Sequence, residues 1–182
     1  MKIKNQPVLF IMFGHPGSGK TQFALNLVKK YNFLHLNTDD AKFSIFEKPT
    51  HSRKEVRLLF KIMDYFASLF LRNGFNLIYD ANFTKRVFRK RLADLAEKYG
   101  AKLIILCFKV PIKTAVKRVK TRHKNHPGDL KKFFPRTFVY DLHRIKNEEE
   151  HPVKGDEVFF EIDGTKSFAD QVKPLLKYLK KA

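Results

Sequence analysis

Gly14-His15-Pro16-Gly17-Ser18-Gly19-Lys20-Thr21 fits the pattern G-x-x-x-x-G-K-[ST] at every fixed position. The flanks fit as well. Val8 to Phe13 is an unbroken apolar run, which reads as a parallel strand buried on both faces. Thr21 to Tyr31 reads as a helix with Phe23, Leu27 and Val28 facing inward. A glycine-rich turn between a buried strand and a helix start is a cradle for phosphate. Gly14, Gly17 and Gly19 let the backbone, with Pro16 and Ser18 between them, wrap phosphate oxygens with its amide hydrogens pointing inward. The helix N-terminus adds a dipole that favours an anion. In such a loop Lys20 reaches the β- and γ-phosphates of a nucleoside triphosphate, ATP being the expected one, and the Thr21 hydroxyl ligates Mg²⁺.

Working outward, short apolar runs alternate with longer periodic segments, the pattern of an α/β domain. Phe33 to Leu36 reads as a second strand. Ser52 to Arg72 reads as a long helix whose Val56, Leu59, Phe60, Met63, Phe66, Ala67 and Phe70 recur at steps of three and four, and Asn73-Gly74 stops it. Phe75 to Tyr79 is a third strand ending on Asp80, and Lys85 to Tyr99 a helix closed by Gly100. Leu103 to Val110 is a fourth strand, and Pro111 opens a helix running to about Arg122. A loop over Lys124 to Pro135 and a helix over Arg136 to Glu149 follow. Glu157 to Ile162 is a fifth strand, and Ser167 caps a last helix reaching Lys180. With 182 residues and no internal repeat or linker, the expectation is one three-layer αβα domain around a five-stranded parallel sheet.

Composition narrows the class. The chain is 43% hydrophobic, with 19 phenylalanines and no tryptophan, too apolar for a disordered protein. No apolar run approaches the roughly 20 residues that span a bilayer. Met1 to Pro7 is polar and no small-residue cleavage site follows Phe13, so the expected location is cytoplasmic, without a signal peptide. The single cysteine, Cys107, lies in an apolar run and reads as core. Lys and Arg outnumber Asp and Glu by 37 to 18, a formal charge of +19, which points to an anionic partner with nucleic acid first.

A GTPase would need a guanine-reading Asn-Lys-x-Asp at a strand end, and here Leu103 to Val110 runs into Pro111 instead. Four stretches give a closer resemblance. They are His15 to Thr21; Leu36-Asn37-Thr38-Asp39-Asp40; Tyr79-Asp80-Ala81-Asn82-Phe83-Thr84; and Val110-Pro111 through Val116-Lys117-Arg118-Val119-Lys120-Thr121-Arg122. In this order they resemble the polynucleotide 5′-hydroxyl kinases of the phage type, in the zeta-toxin and AAA_33-like group of P-loop kinases. The resemblance covers roughly residues 8 to 123.

That resemblance implies a P-loop NTPase fold with strand order 2-3-1-4-5 and a helical lid at roughly 111 to 136. It implies that Asp39 is the general base for the acceptor hydroxyl, that Asp80 holds Mg²⁺, and that Arg118 and Arg122 are lid arginines acting on the transferring phosphoryl group. Physical chemistry allows each role. A carboxylate at the carboxyl end of a parallel strand faces the ligand crevice, and arginines four apart share a helix face. The residues also allow plainer readings: Thr38-Asp39-Asp40 is a good helix start, Asp80 a turn former, and the arginines part of a solvated basic face. Departures from the family pattern are Thr38, where the kinases carry arginine, and Lys42, where a second arginine helps hold acceptor phosphate. Glu161-Ile162-Asp163-Gly164-Thr165 is similar to a phosphatase motif but has Glu for its first Asp. By analogy with related kinases this segment, Thr165 included, lines the nucleotide base. The leading expectation is transfer of the ATP γ-phosphate to the 5′-hydroxyl of DNA or RNA. A kinase for a small alcohol (nucleotide sugar, sugar acid or antibiotic) and a low-turnover RNA-binding module are the rivals.

Overall fold

A computed structural model describes residues 6–50, 52–125 and 148–181. The elements, in order, are β1 (Val8–Phe13), α1 (Lys20–Lys30), β2 (Phe33–Asn37), α2 (Thr38–Ile45), α3 (Arg53–Arg72), β3 (Asn76–Asp80), α4 (Arg86–Lys98), β4 (Lys102–Lys109), α5 (Ile112–Asn125), β5 (Phe159–Asp163) and α6 (Phe168–Lys181). Of the loop expected over Lys124 to Pro135 and the helix expected over Arg136 to Glu149, residues 126–147 lie outside the described residues. No helix among the described residues is long and apolar enough to cross a membrane.

The five strands form one sheet of order β2-β3-β1-β4-β5, all parallel, as the sequence implied. Central β1 explains the layering. All six of its residues are buried, and alternate side chains point to opposite faces. Leu9, Ile11 and Phe13 enter a core with Leu59, Met63, Ala67 and Leu71 of α3 and Leu92 and Ala96 of α4. Val8, Phe10 and Met12 enter a second core with Phe23 and Leu27 of α1 and Val172, Leu175 and Leu179 of α6. Cys107 is buried on β4, and loss of hydration raises its thiol pKa to about 12.

Two local expectations change. The buried face of α3 is Leu59, Met63, Ala67 and Leu71, one residue per turn, while Val56 and Phe66 are each 41% exposed. Apolar residues occupy so much of this helix that periodicity alone does not find the edges of its buried stripe. The second change is α2, an eight-residue helix with no buried residue and hence no hydrophobic period to read. It starts at Thr38-Asp39-Asp40, as those residues allow, and its cap is Asn37: the Asn37 Oδ1 accepts from the amides of Asp39 (2.8 Å) and Asp40 (3.1 Å).

Strand ends, short helices and loops gather at the carboxyl edge of the sheet. There Arg89, 1% exposed on α4, donates to both carboxylate oxygens of Glu157 (2.8 and 3.1 Å) and to the Phe83 carbonyl (3.1 Å). This ties the segment before β5 to the loop after β3. Glu157→Ala leaves a guanidinium buried without its counter-charge, which costs about 3–5 kcal/mol. The expected outcome is a Tm drop of several degrees, whereas the exposed pair Arg86–Asp156 tolerates Asp156→Ala with little change. Differential scanning calorimetry of both variants checks the contrast.

Candidate active site

The phosphate loop is shaped by what it cannot hold. Gly14, Gly17 and Gly19 have φ of 138°, 80° and 100°, backbone that other residues rarely adopt. A Cβ at Gly14 would lie 2.8 Å from the Phe108 carbonyl oxygen, and one at Gly17 would lie 2.6 Å from that of Ala115. The loop is therefore pressed against β4 and α5. Ser18 is fully buried within it, and its Oγ meets no hydrogen-bond partner among the described residues. Pro16 is half-buried in the loop, and Thr21 is exposed at the first turn of α1.

Lys20 folds back over this turn. Its Nζ donates to the carbonyls of Gly14 and of His15 (3.1 Å). Loss of hydration lowers its pKa from 10.5 to about 8; the carboxylates of Asp80, Glu149 and Asp39 oppose that fall, and the charge of Arg122 adds to it. These four side chains, from four different parts of the chain, thus share one electrostatic field with the loop lysine.

Asp80, 5% exposed, ends β3 beside Asn37 on β2. Its Oδ2 takes a contact from His35 Nε2 (3.2 Å) and a hydrogen bond from Asn37 Nδ2 (3.3 Å), while Thr38 Oγ1 donates to its carbonyl (3.2 Å). Asn37 has two tasks: its oxygen caps α2 and its amide nitrogen orients Asp80. Asp39 stands in the first turn of α2, 60% exposed, with Lys42 Nζ 3.9 Å from its Oδ1. Loss of hydration raises its carboxyl pKa; Lys42 opposes the rise most, and Asp80 and Asp40 add to it. Solvent screens much of this effect at such exposure.

The two arginines of α5 differ in their surroundings. Arg122 acts on Lys20 through its charge. Arg118 instead grips backbone, donating from Nη2 to the Gly164 carbonyl (2.7 Å) and from Nη1 to that of Gly17 (3.4 Å). Gly164 is itself wedged in: a Cβ there would lie 2.3 Å from the Ser18 carbonyl oxygen, and its amide donates to Lys109 O (2.8 Å). Both the amide and the hydroxyl of Thr165 donate to Asp163 Oδ1 (2.9 and 2.6 Å), which lowers the Asp163 pKa. The Thr165 segment thus lies against the phosphate loop, with its hydroxyl committed within its own turn.

Sequence reading missed His35 and the close fit of Gly164, and it quoted Asn37 without a role. Each acts across the fold on a partner far along the chain, so no local spacing could reveal it. Beside the loop opens a cavity of about 820 Å³, lined by Phe13, His15, Val110, Pro111, His151 and Phe159 among others.

Sheet order, loop and strand-end carboxylates define a nucleotide-binding domain of P-loop kinase-like fold. The chain belongs to the AAA_33 family, described as an AAA domain, whose model matches residues 9–133. It is similar in structure to a candidate kinase from Chloroflexus aurantiacus (TM-score 0.74, 20% identity, 98% of both chains). It also resembles a chain of the Pnkp1/Rnl/Hen1 RNA repair complex (TM-score 0.63, 25% identity), covering 82% of this chain and 49% of that one. A third likeness is to the Mycobacterium tuberculosis APS kinase CysC in complex with AMPPNP and APS (TM-score 0.65, 15% identity, 97% and 99%). No curated protein sequence matches the chain.

Two outcomes follow from this geometry. Gly164→Ala forces the loop and the β5 turn apart, at a cost of about 1–3 kcal/mol. The variant should fold, melt lower and bind nucleotide about tenfold more weakly or worse, as equilibrium titration would show. Lys20 supplies a pH signature. Below pH 8 it is protonated folded or unfolded, and the full cost of its desolvated charge is present; from about 8 to 10.5 the unfolded chain binds the extra proton and that cost is relieved. A bound triphosphate supplies the missing anion and raises the pKa again. At pH 8 nucleotide binding should therefore take up protons, measured by calorimetry in buffers of different ionisation enthalpy. Lys20→Met should abolish that uptake.

Proposed function

We propose that this protein is an ATP- and Mg²⁺-dependent kinase that transfers the γ-phosphate to the 5′-hydroxyl of DNA or RNA. The observation that carries the reading is the glycine loop pressed against β4 and α5 with Lys20 folded back over it, at the same edge of the sheet as Asp80 and Asp39. Gly14 to Thr21 bind the triphosphate through backbone amides, and the unpartnered Ser18 Oγ lies within that cradle. The donors present suit Mg²⁺, which takes one or two protein oxygens and completes its shell with phosphate and water. Thr21 Oγ1 and the Asp80 carboxylate, steadied by His35 and Asn37, would hold the ion. When bound, Mg²⁺ neutralises charge on the phosphates. Asp39 takes the proton of the acceptor hydroxyl as that oxygen bonds to the γ-phosphorus and the bridge to the β-phosphate breaks. Lys20 and Arg122 stabilise the charge on the transferring group. Arg118 keeps the loop in shape and is placed to meet the nucleotide beside Gly164 and Thr165.

A nucleic acid acceptor is favoured by α5, whose Lys113, Lys117, Arg118, Lys120, Arg122 and Lys124 face no acidic residue on the same helix. The likeness to a chain of an RNA repair complex supports the same choice. α5 is then the described part of a lid over roughly 111–136, in one domain spanning the chain. A kinase for a small alcohol is the second reading, favoured by the nearly full-length likeness to an APS kinase.

Asp39→Asn should lower kcat for label transfer from ATP to a 5′-hydroxyl oligonucleotide by about 10²- to 10⁴-fold and leave ATP affinity nearly unchanged. Oligonucleotide binding should weaken with salt at a log–log slope of roughly −2 to −3.5, about −0.7 for each of three to five phosphates neutralised. A flat salt series without label transfer would favour the small-alcohol reading.

A further inference from the structure

The amino-terminal halves of α3 and α4 leave an unusual surface open. Val87 is 67% exposed, Phe88 46% and Val56 41%. The Phe88 ring lies parallel to that of Phe60, with centroids 6.4 Å apart and planes 1° apart. The Arg91 guanidinium sits 5.4 Å from the Phe60 centroid and 5.7 Å from that of Phe88. It is pinned there, because Arg91 Nε lies 3.1 Å from Asp64 Oδ2 and Asp64 accepts from the Tyr79 hydroxyl (3.0 Å). Phe60 also neighbours Tyr79 and Phe83, so the aromatic row runs from the loop after Asp80 out to the surface.

Apart from Asp64, which is paired with Arg91, the exposed charges beside this row are mostly positive. Arg53, Arg57 and Lys61 on α3 and Lys90 on α4 are exposed, and no ion pair involves them among the described residues. The exposed Phe88 ring, beside half-buried Phe60 and a flat guanidinium and set among unpaired cations, suits flat rings joined by phosphates. Every base offers a π-face, and base stacking on aromatic or guanidinium planes tolerates any sequence. An apolar protein partner would leave Arg53, Arg57, Lys61 and Lys90 without anions; a nucleic acid strand supplies one per nucleotide.

We infer that the α3–α4 surface centred on Phe88, Phe60 and Arg91 is a stacking platform for single-stranded DNA or RNA, engaging acceptor nucleotides beyond the one at the phosphate loop. This rests on the proposal that the acceptor is nucleic acid. The platform lies outside the phosphate loop and Asp39, so it adds affinity for long acceptors without touching the transfer step.

The test compares two 5′-hydroxyl acceptors, a dinucleotide and a strand of about twelve nucleotides, with the wild type, Phe88→Ala and Arg57→Glu. Binding of the longer strand, labelled at its 3′ end, is read by fluorescence anisotropy, and phosphorylation of both by label transfer. The expected result is a roughly tenfold weaker Kd and higher KM for the longer strand in each variant, with kcat and the dinucleotide KM unchanged. Arg57→Glu alters only an exposed side chain, so it keeps the test valid should Phe88→Ala disturb packing. If the wild type phosphorylates both acceptors and neither variant changes the longer one, the platform is wrong and the kinase reading stands. Platform-dependent binding without phosphorylation supports the platform and overturns the kinase reading. A wild type that neither binds nor phosphorylates the strand overturns both. A change in sedimentation of the variants, with strand binding intact, would assign the surface to a second copy and overturn the inference.

Discussion

The ammonium of Lys20, partly withdrawn from water, donates among the described residues to the carbonyls of Gly14 and His15, inside a loop whose backbone other residues rarely adopt. Its neighbours are arranged around that charge. β3 brings Asp80, α2 brings Asp39, and α5 brings Arg122, each on a different element meeting the carboxyl edge of the sheet. A parallel sheet makes this convergence possible because all its strands end on one side. Without an anion the lysine is under-solvated, and a triphosphate would meet that need.

That arrangement depends on contacts remote from the chemistry. Gly164 lets the turn after β5 close on Ser18, and Arg118 bonds both Gly17 and Gly164. On the other side, His35 and Asn37 hold Asp80 by one oxygen, while Asn37 also starts the helix that carries Asp39. One asparagine thus couples the orientation of the metal-binding candidate to that of the base candidate. The buried Arg89–Glu157 pair fixes the loop after β3 from below.

How much of this was legible follows from where the information lies. β1 announced itself because burial on both faces demands an unbroken apolar run, and the phosphate loop because its glycines are required by backbone geometry. Asp39, Asp80 and Arg122 were singled out through their order along the chain, and the fold sets Asp80 at the end of β3 and Asp39 in the first turn of α2 beside it. Helix α2 was legible only at its start, Thr38-Asp39-Asp40, since an exposed eight-residue helix has no hydrophobic period to show its length. The stripe of α3 was read too wide because Phe66 and Val56 look like core residues, yet both are substantially exposed. His35 and Arg89 escaped for a different reason. Their partners lie 45 and 68 residues away, and nothing local marks a histidine or arginine as half of a pair.

The central claim is that the phosphoryl group goes to a nucleic acid end. It is tested most directly by competition: the protein, γ-labelled ATP and Mg²⁺ with equal concentrations of a 5′-hydroxyl oligonucleotide and a panel of small alcohols, including sugar acids and nucleotide sugars. The account predicts that label appears at the 5′ end of the oligonucleotide, in preference to every small alcohol. Label on a small alcohol, with the oligonucleotide left unmodified, would contradict it.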